Sequence, residues 1–169
     1  MAGDDVTIDP TSSGNDTVTY GPGSTAALTL DSLNVLNAAF DFVSGTLAVA
    51  NGYEFSGLSV GGGAITLGDA SLGYITGSVS LTGGATRLIG NAELTQGSAT
   101  QTAGTLQIDH GTLTDLDSTS NFSGTIQGNG GLVLESANVS LLSGFGLKVA
   151  STTIATGNVS LNESLSYAN

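Results

Sequence analysis

Short runs of alternating apolar and polar residues recur along the chain, separated by Gly, Asn, Asp or Ser. Asn138-Val139-Ser140-Leu141 and Asn158-Val159-Ser160-Leu161 are identical and define a repeat of about 20 residues. Ser78-Val79-Ser80-Leu81 sits three and four periods earlier. Gly104-Thr105-Leu106-Gln107-Ile108 is followed one period later by Gly124-Thr125-Ile126-Gln127. Gly45-Thr46-Leu47-Ala48-Val49 joins them after a slip of a single position. Alternation of this kind is the period of a half-buried strand, in which successive side chains leave opposite faces of the backbone.

The punctuation is periodic as well. Gly57, Gly77, Gly97 and Gly157 share one phase, with Asp117 and Ala137 in the places between. A second phase holds Gly84, Gly104, Gly124 and Gly144, preceded by Ser24, Ser44 and Ala64. These residues suit corners. One period holds three strands and three corners: strands near 97–102, 105–109 and 112–116, with corners at Gly104, Gly111 and Asp117 to Ser120. Such a coil cannot bury its apolar face alone, so stacking the next one closes the core.

The pattern predicts an all-β fold, a right-handed parallel β-helix (β-solenoid) of about eight rungs of roughly 20 residues, rising roughly 35–40 Å at the strand spacing. An antiparallel sandwich also has short strands and glycine-rich turns, but does not explain identical tetrapeptides one period apart. The hexapeptide pattern of left-handed helices is absent. So is the repeated Gly-Gly-x-Gly-x-Asp of calcium-binding solenoids: Gly61-Gly62-Gly63 and Gly128-Asn129-Gly130-Gly131 lack the periodic Asp.

Residues 1–23 break the rhythm, with four acids (Asp4, Asp5, Asp9, Asp16) and both prolines, Pro10 and Pro22. Two alternating runs there, Val6-Thr7-Ile8 and Thr17-Val18-Thr19-Tyr20, flank a turn-like stretch. They predict a short hairpin or an irregular first rung that caps the core, or an exchangeable strand given to a neighbouring molecule. The solenoid domain proper is expected over 24–169.

Composition then narrows the partners. Of 169 residues, 26 are Gly and only 9 % are charged; two basic residues against 14 acidic ones give a net charge of −12. A phosphate backbone must be met by clustered Lys and Arg, so nucleic acid is not an expected partner. An anionic membrane surface is disfavoured for the same reason, and no apolar run is long enough for membrane insertion as a helix. Without cysteine there is no disulfide, thiolate metal site or thiol nucleophile. The opening Met1-Ala2-Gly3-Asp4-Asp5 lacks the basic and apolar parts of a signal peptide. We read it as a mature fragment with an added methionine, from an extracellular or bacterial cell-surface protein.

The Ser-Gly-Thr-Leu and Ala-Gly-Thr-Leu openings at 44–47 and 103–106, with Gly-Asn-Gly-Gly-Leu-Val-Leu at 128–134, resemble the passenger regions of autotransporter and filamentous-haemagglutinin type bacterial surface proteins. The resemblance covers about residues 24–163 at the level of rung pattern. It implies a right-handed parallel β-helix projecting from the cell, with roles in adhesion, aggregation or biofilm formation. The membrane-embedded C-terminal barrel of autotransporters has no counterpart in this sequence.

Candidate chemistry is sparse, and we expect no enzyme. His110 is the single histidine, which excludes multi-histidine metal sites and leaves one His–Asp dyad candidate; a corner residue beside Gly111 is the plainer reading. Asp109, Asp115, Asp117 and Glu135 are the densest acids within the repeats. Asp115 and Glu135, one period apart, are expected to stack on neighbouring rungs and form a possible weak Ca²⁺ site. The alternative function, a polysaccharide-binding or -cleaving β-helix, would use these surface acids. Against cleavage, Arg87 and Lys148 are isolated in sequence and aromatic residues are scattered. Thr46, Thr66 and Thr86 line up at one period as a threonine column of ordinary strand residues. Asn138 and Asn158 are placed to bond in a ladder.

Both ends of a solenoid expose unpaired strand edges, which are templates for another chain. Head-to-tail contact propagates into a line where it does not close. We therefore expect end-to-end self-association into surface or biofilm-matrix filaments, through Val6, Ile8, Val18 and Tyr20 at one end and Val159, Leu161, Leu165 and Tyr167 at the other. Surface glycans or other matrix proteins are further expected partners. No cofactor is expected, and Ca²⁺ is not expected to be needed for folding.

Overall fold

A computed structural model describes residues 4–11, 16–21, 27–68, 73–135, 138–155 and 157–161. Among them every regular element is a strand, and strands pair in parallel from rung to rung. The chain is a parallel β-solenoid. Each rung visits three walls. The first wall carries seven strands, from residues 27–30 to Gly146–Lys148; the second carries eight, from Asp4–Ile8 to Ser151–Ile154; the third carries eight, from Asp16–Tyr20 to Asn158–Leu161. In the first two full rungs one strand turns the corner between the first and second walls without a break, Ala27–Val35 and Thr46–Phe55. These join the two walls into a 13-stranded sheet.

The rung expected from sequence over 97–116 is Ser98–Gln101, Thr105–His110 and Thr112–Asp115. Among the described residues seven complete turns follow two opening strands, which agrees with the expected count of about eight rungs of roughly 20 residues. Asp4–Ile8 and Asp16–Tyr20 do not pair as a hairpin. They lie in parallel on 30–35 and on Ala38–Phe42.

Rung length varies, and this corrects two columns. Val18, Phe40, Leu58, Val79, Ala99, Ser120, Val139 and Val159 stack along the third wall at unequal steps, a long one from Val18 to Phe40 and a short one from Phe40 to Leu58. A rung can lose or gain a corner residue provided that inward and outward positions keep phase, because a slip of one would turn a strand inside out. Thr46, Thr66 and Thr86 therefore do not form a column. Thr46 pairs with Ala64, Thr66 with Ala48 and Arg87, and Thr86 with Ile65 and Leu106. Thr86 points into the core at 3 % exposure. The corner before the first wall stacks Gly45, Gly63, Gly84 and Gly104, each carbonyl receiving an N–H from the rung above, so Gly45 and Gly63 stand where Ser44 and Ala64 were expected. Glycine is required there: φ at Gly63, Gly84 and Gly104 is 71°, 67° and 78°. A Cβ on Gly63 would lie 2.5 Å from the Gly45 carbonyl oxygen.

The core is one continuous apolar column bounded by the three walls. Its densest aromatic part lies near the N-terminus, and a second pair, Phe122 and Phe145, lies further along with ring centroids 6.2 Å apart. Tyr20 stacks on Phe42 with ring centroids 5.4 Å apart, Phe40 on Phe55 at 5.4 Å, and Tyr53 on Phe55 at 5.7 Å. Outside, the Asn158 side-chain amide donates to Asn138 Oδ1 at 3.5 Å, which is the expected asparagine ladder.

Candidate functional site at the open end of the coil

The first rung has strands on the second and third walls. No described residue fills its place on the first wall. The core therefore opens at this end in an apolar mouth of about 150 Å³ lined by Val6, Ile8, Val18, Thr19, Tyr20, Leu28, Leu30, Leu33, Phe40 and Leu47. Alternation brings these side chains together: each lining apolar residue occupies an inward position of its strand. Val6, Ile8, Val18 and Tyr20, the assembly residues expected at this end, are partly buried and pack on the core. Leu28, Leu30, Leu33, Phe40 and Leu47 were not foreseen, since nothing in a strand's own sequence says which rung is terminal.

Exposure within single columns marks both ends. Leu28 is 38 % exposed while its partner one rung inward, Leu47, is 1 % exposed. At the other end Ile154 is 55 % exposed, whereas its partner Leu134 is 2 % exposed. Val159 is partly buried against the core, and Leu161 pairs by its backbone with Leu141. Leu165 and Tyr167 lie outside the described residues. The seven turns place Val6, Ile8, Val18 and Tyr20 at one end and Val159 and Leu161 at the other, roughly 35 Å apart at about 4.8 Å per rung.

The acids expected to form a weak cation site are not stacked. Asp115 pairs with Leu134, not Glu135, and is fully buried, while Glu135 is exposed at the next position along the chain. The physical reason is again rung length: the step here is shorter than the regular period, so the residue one full period after Asp115 falls just past the inward column. Among the described residues no group of three or more His, Asp or Glu side chains converges as metal ligands would.

Asp115 has a different neighbour, Asp117, which is 1 % exposed. The Asp117 N–H donates to Asp115 Oδ1 at 3.1 Å, and the Ser120 hydroxyl bonds the same carboxyl. Asp117 Oδ1 accepts the Gly97 N–H of the preceding rung at 2.9 Å. The Asp117 carboxyl thereby ties the corners of two successive rungs together. The Oδ2 atoms of both residues are buried without a partner. Burial pushes both carboxyls above the ordinary value. For Asp115, the Ser120 and Asp117 hydrogen bonds oppose that rise and the charge of Asp117 adds to it; for Asp117, the Gly97 bond opposes it. The pair is enclosed, so it offers no surface to a polymeric substrate.

The basic residues isolated in sequence share one outward column of the first wall, Arg87–Gln107–Gln127–Lys148. Arg87 pairs with Asp109, to which Gln107 also donates. Asp109 is the extra residue of a bulge, opposite the step between Leu88 and Ile89. The Gln107 bond, with help from Arg87 and against partial burial, holds its carboxyl below the ordinary value. A shallow groove of about 380 Å³ runs along this column, lined by Gln107, Gln127, Gly128, Asn129, Lys148, Val149 and Ala150. His110 is exposed at the corner beside Gly111.

No family model matches the chain, and comparison with curated proteins and with solved structures finds no match. What the fold defines is a class: a parallel β-solenoid repeat protein.

Proposed function

We propose that this chain is a structural and adhesive β-solenoid module of an extracellular or cell-surface protein, which self-assembles end to end into surface or matrix filaments. The observation that carries this reading is the pair of uncovered ends. Two inward columns that are buried through the middle rungs end in Leu28 and Ile154, which are 38 % and 55 % exposed. Burying apolar surface of this kind stabilises by about 25 cal/mol per Å², and the terminal strands leave unpaired N–H and C=O groups beside it. A second copy offers the same strand spacing and the same three walls. The rung-pattern resemblance to bacterial passenger regions supports the same reading. Adhesion would then be a property of the long repeated side walls, and the amide-lined groove along Gln107, Gln127 and Lys148 is the stretch best furnished to hydrogen-bond surface glycans.

Electron microscopy and sedimentation of the purified chain test this. The net charge of −12 repels copies, and salt screens that repulsion. Filaments about one solenoid wide are expected to lengthen between low and moderate salt. A monomer at high concentration and moderate salt would remove the reading.

A further inference from the structure

The outer faces of the three walls differ in charge. The second wall turns Glu54 and Glu93 outward, and the third turns Asp41 outward. The first wall carries two outward columns, one running from Ala27 to Gly146 and the other from Thr29 to Lys148. Neither column holds a carboxylate, although the chain has 14 acidic residues, and the second holds both basic ones, Arg87 and Lys148. Asp109, at the bulge beside this face, is taken up by Arg87 and Gln107. Lys148 is exposed and has no ion-pair partner among the described residues.

We infer that the groove on this face binds a linear acidic polysaccharide, with a uronate carboxylate on the Lys148 ammonium and sugar hydroxyls on the side-chain amides of Gln107, Gln127 and Asn129. This inference rests on the glycan reading above and adds the charge of the ligand and its direction. Gln107, Gln127 and Lys148 follow one another on neighbouring strands, so they span two rung steps, roughly 10 Å at about 4.8 Å per step. The groove of about 380 Å³ follows them, which lays a linear ligand along the coil axis and across the rungs. An amide offers both donors and acceptors, as a sugar hydroxyl does, and the ammonium is a point charge that fixes a carboxylate. Gln107 gives one N–H to Asp109 and keeps its carbonyl oxygen for a hydroxyl.

The absence of acids on this wall matters as much as the lysine. At a net charge of −12 the molecule as a whole repels an anionic chain, and least where no carboxylate faces it. A phosphate at every step would need clustered bases, whereas one ammonium answers a chain with one carboxylate among several hydroxyls. The corner along the groove is held in place by the backbone. Gly128 donates to the Lys148 carbonyl at 2.9 Å, Gly130 to the Ile108 carbonyl at 2.8 Å, and Ala150 to the Gly130 carbonyl at 3.0 Å. A Cβ on Gly128 would lie 2.0 Å from the Ile108 carbonyl oxygen, so no side chain can fill the groove from that position. A ligand therefore meets a surface already ordered, which lowers the entropy lost on binding.

Titration calorimetry of the full chain at one fixed ionic strength tests this with three probes. They are a linear oligosaccharide alternating glucuronate with a neutral sugar, the same oligosaccharide with its carboxyls reduced to alcohols, and an oligoglutamate of equal charge. The glucuronate probe is expected to bind more tightly than the other two. Lys148→Gln should weaken it roughly three- to fivefold, the scale of an exposed ion pair, while the reduced probe and the melting midpoint stay unchanged. Gln127→Ala should weaken both saccharides. Equal binding of the glucuronate and reduced probes, or a Lys148→Gln variant that binds glucuronate as the parent does, would overturn the acidic ligand and leave a glycan groove standing. Oligoglutamate binding as tightly as the glucuronate probe would overturn the sugar and point to an acidic peptide. Failure of both saccharides to bind would overturn this inference together with the glycan reading.

Discussion

The rungs near the N-terminus and those in the middle of the coil have the same cross-section but different interiors. Between residues 30 and 67 every buried side chain is apolar, with Phe40, Phe42, Tyr53 and Phe55 stacked through successive rungs. Among the described residues the buried polar and charged ones, Thr86, Gln101, Asp109, Asp115, Asp117 and Ser120, all fall between 86 and 120. One column makes the contrast direct: Tyr20, Phe42, Val60, Leu81, Gln101, Phe122 and Leu141 follow one another on the third wall. The backbone ladder is indifferent to this change, because its hydrogen bonds run between main chains. Side-chain stabilisation is not. A ring in this column brings a large buried area, whereas Gln101 reaches the Thr125 carbonyl at 3.2 Å and the Gly104 carbonyl at 3.4 Å and leaves its own Oε1 unpartnered.

The comparison is broken most sharply by removing a ring. Phe42→Ala, at a fully buried position, is expected to cost about 3–5 kcal/mol in urea unfolding of the dispersed chain. A loss of less than about 1 kcal/mol, the scale of an ordinary surface change, would mean that the aromatic rungs do not anchor the coil.

The next largest effect is expected at the buried acid pair, read through pH. The Asp115 carboxyl binds its proton more tightly in the folded chain than in the unfolded one, where its value is near 3.8. Stability linked to that proton is complete below the unfolded value and is lost as pH rises through the raised folded value. Asp115→Asn keeps an acceptor for the Asp117 N–H and does not ionise. Across that window its stability relative to the parent should rise with pH, by at most about 1.4 kcal/mol per unit. Asp109 has the opposite sign. Its folded value is lowered, so its contribution is present above the unfolded value and is lost as pH falls through the folded one. Asp109→Asn should therefore be less stable than the parent at neutral pH and equal to it in acid. Parallel pH curves for the two variants and the parent would sink this assignment.

The smallest effect sharpens the contrast from the other side. Gln101→Met, in the same column as Phe42, removes an unsatisfied buried acceptor and keeps the volume. It is expected to change stability by less than about 1 kcal/mol, because the lost amide bonds are offset by removing the unpartnered Oε1 and the Gly104 carbonyl still accepts the Thr125 N–H. A loss comparable to that of Phe42→Ala would show the glutamine amide to be a structural clamp in the middle rungs.

Much of this architecture was legible in the residues. The alternation near 97–102, 105–109 and 112–116 and the repeated Asn-Val-Ser-Leu each carry a local physical constraint, since strand period and left-handed corners depend only on nearby residues. The candidate site was legible in part. Val6, Ile8, Val18 and Tyr20 are apolar at every second position of an odd first segment, and that was enough to single them out. The mouth's other half, Leu28 with Leu30 and Leu33, looks like any interior rung, because termination belongs to the stack and leaves no mark on the strand.

What the sequence by itself determined is the period, the wall-and-corner rhythm, and the phase that sends one side of each strand inward. Tertiary structure alone decided the register. Rungs of unequal length share one cross-section, so residues one nominal period apart need not stack: Asp115 meets Leu134 and not Glu135, and Thr46 meets Ala64 and not Thr66. Register likewise gathered Arg87 and Lys148 onto one outward column and closed Asp115 and Asp117 into one buried corner. The reason is that corner residues can be added or removed at little cost while the hydrogen-bonded ladder cannot slip by one. Contacts between rungs therefore follow the ladder and not the count along the chain.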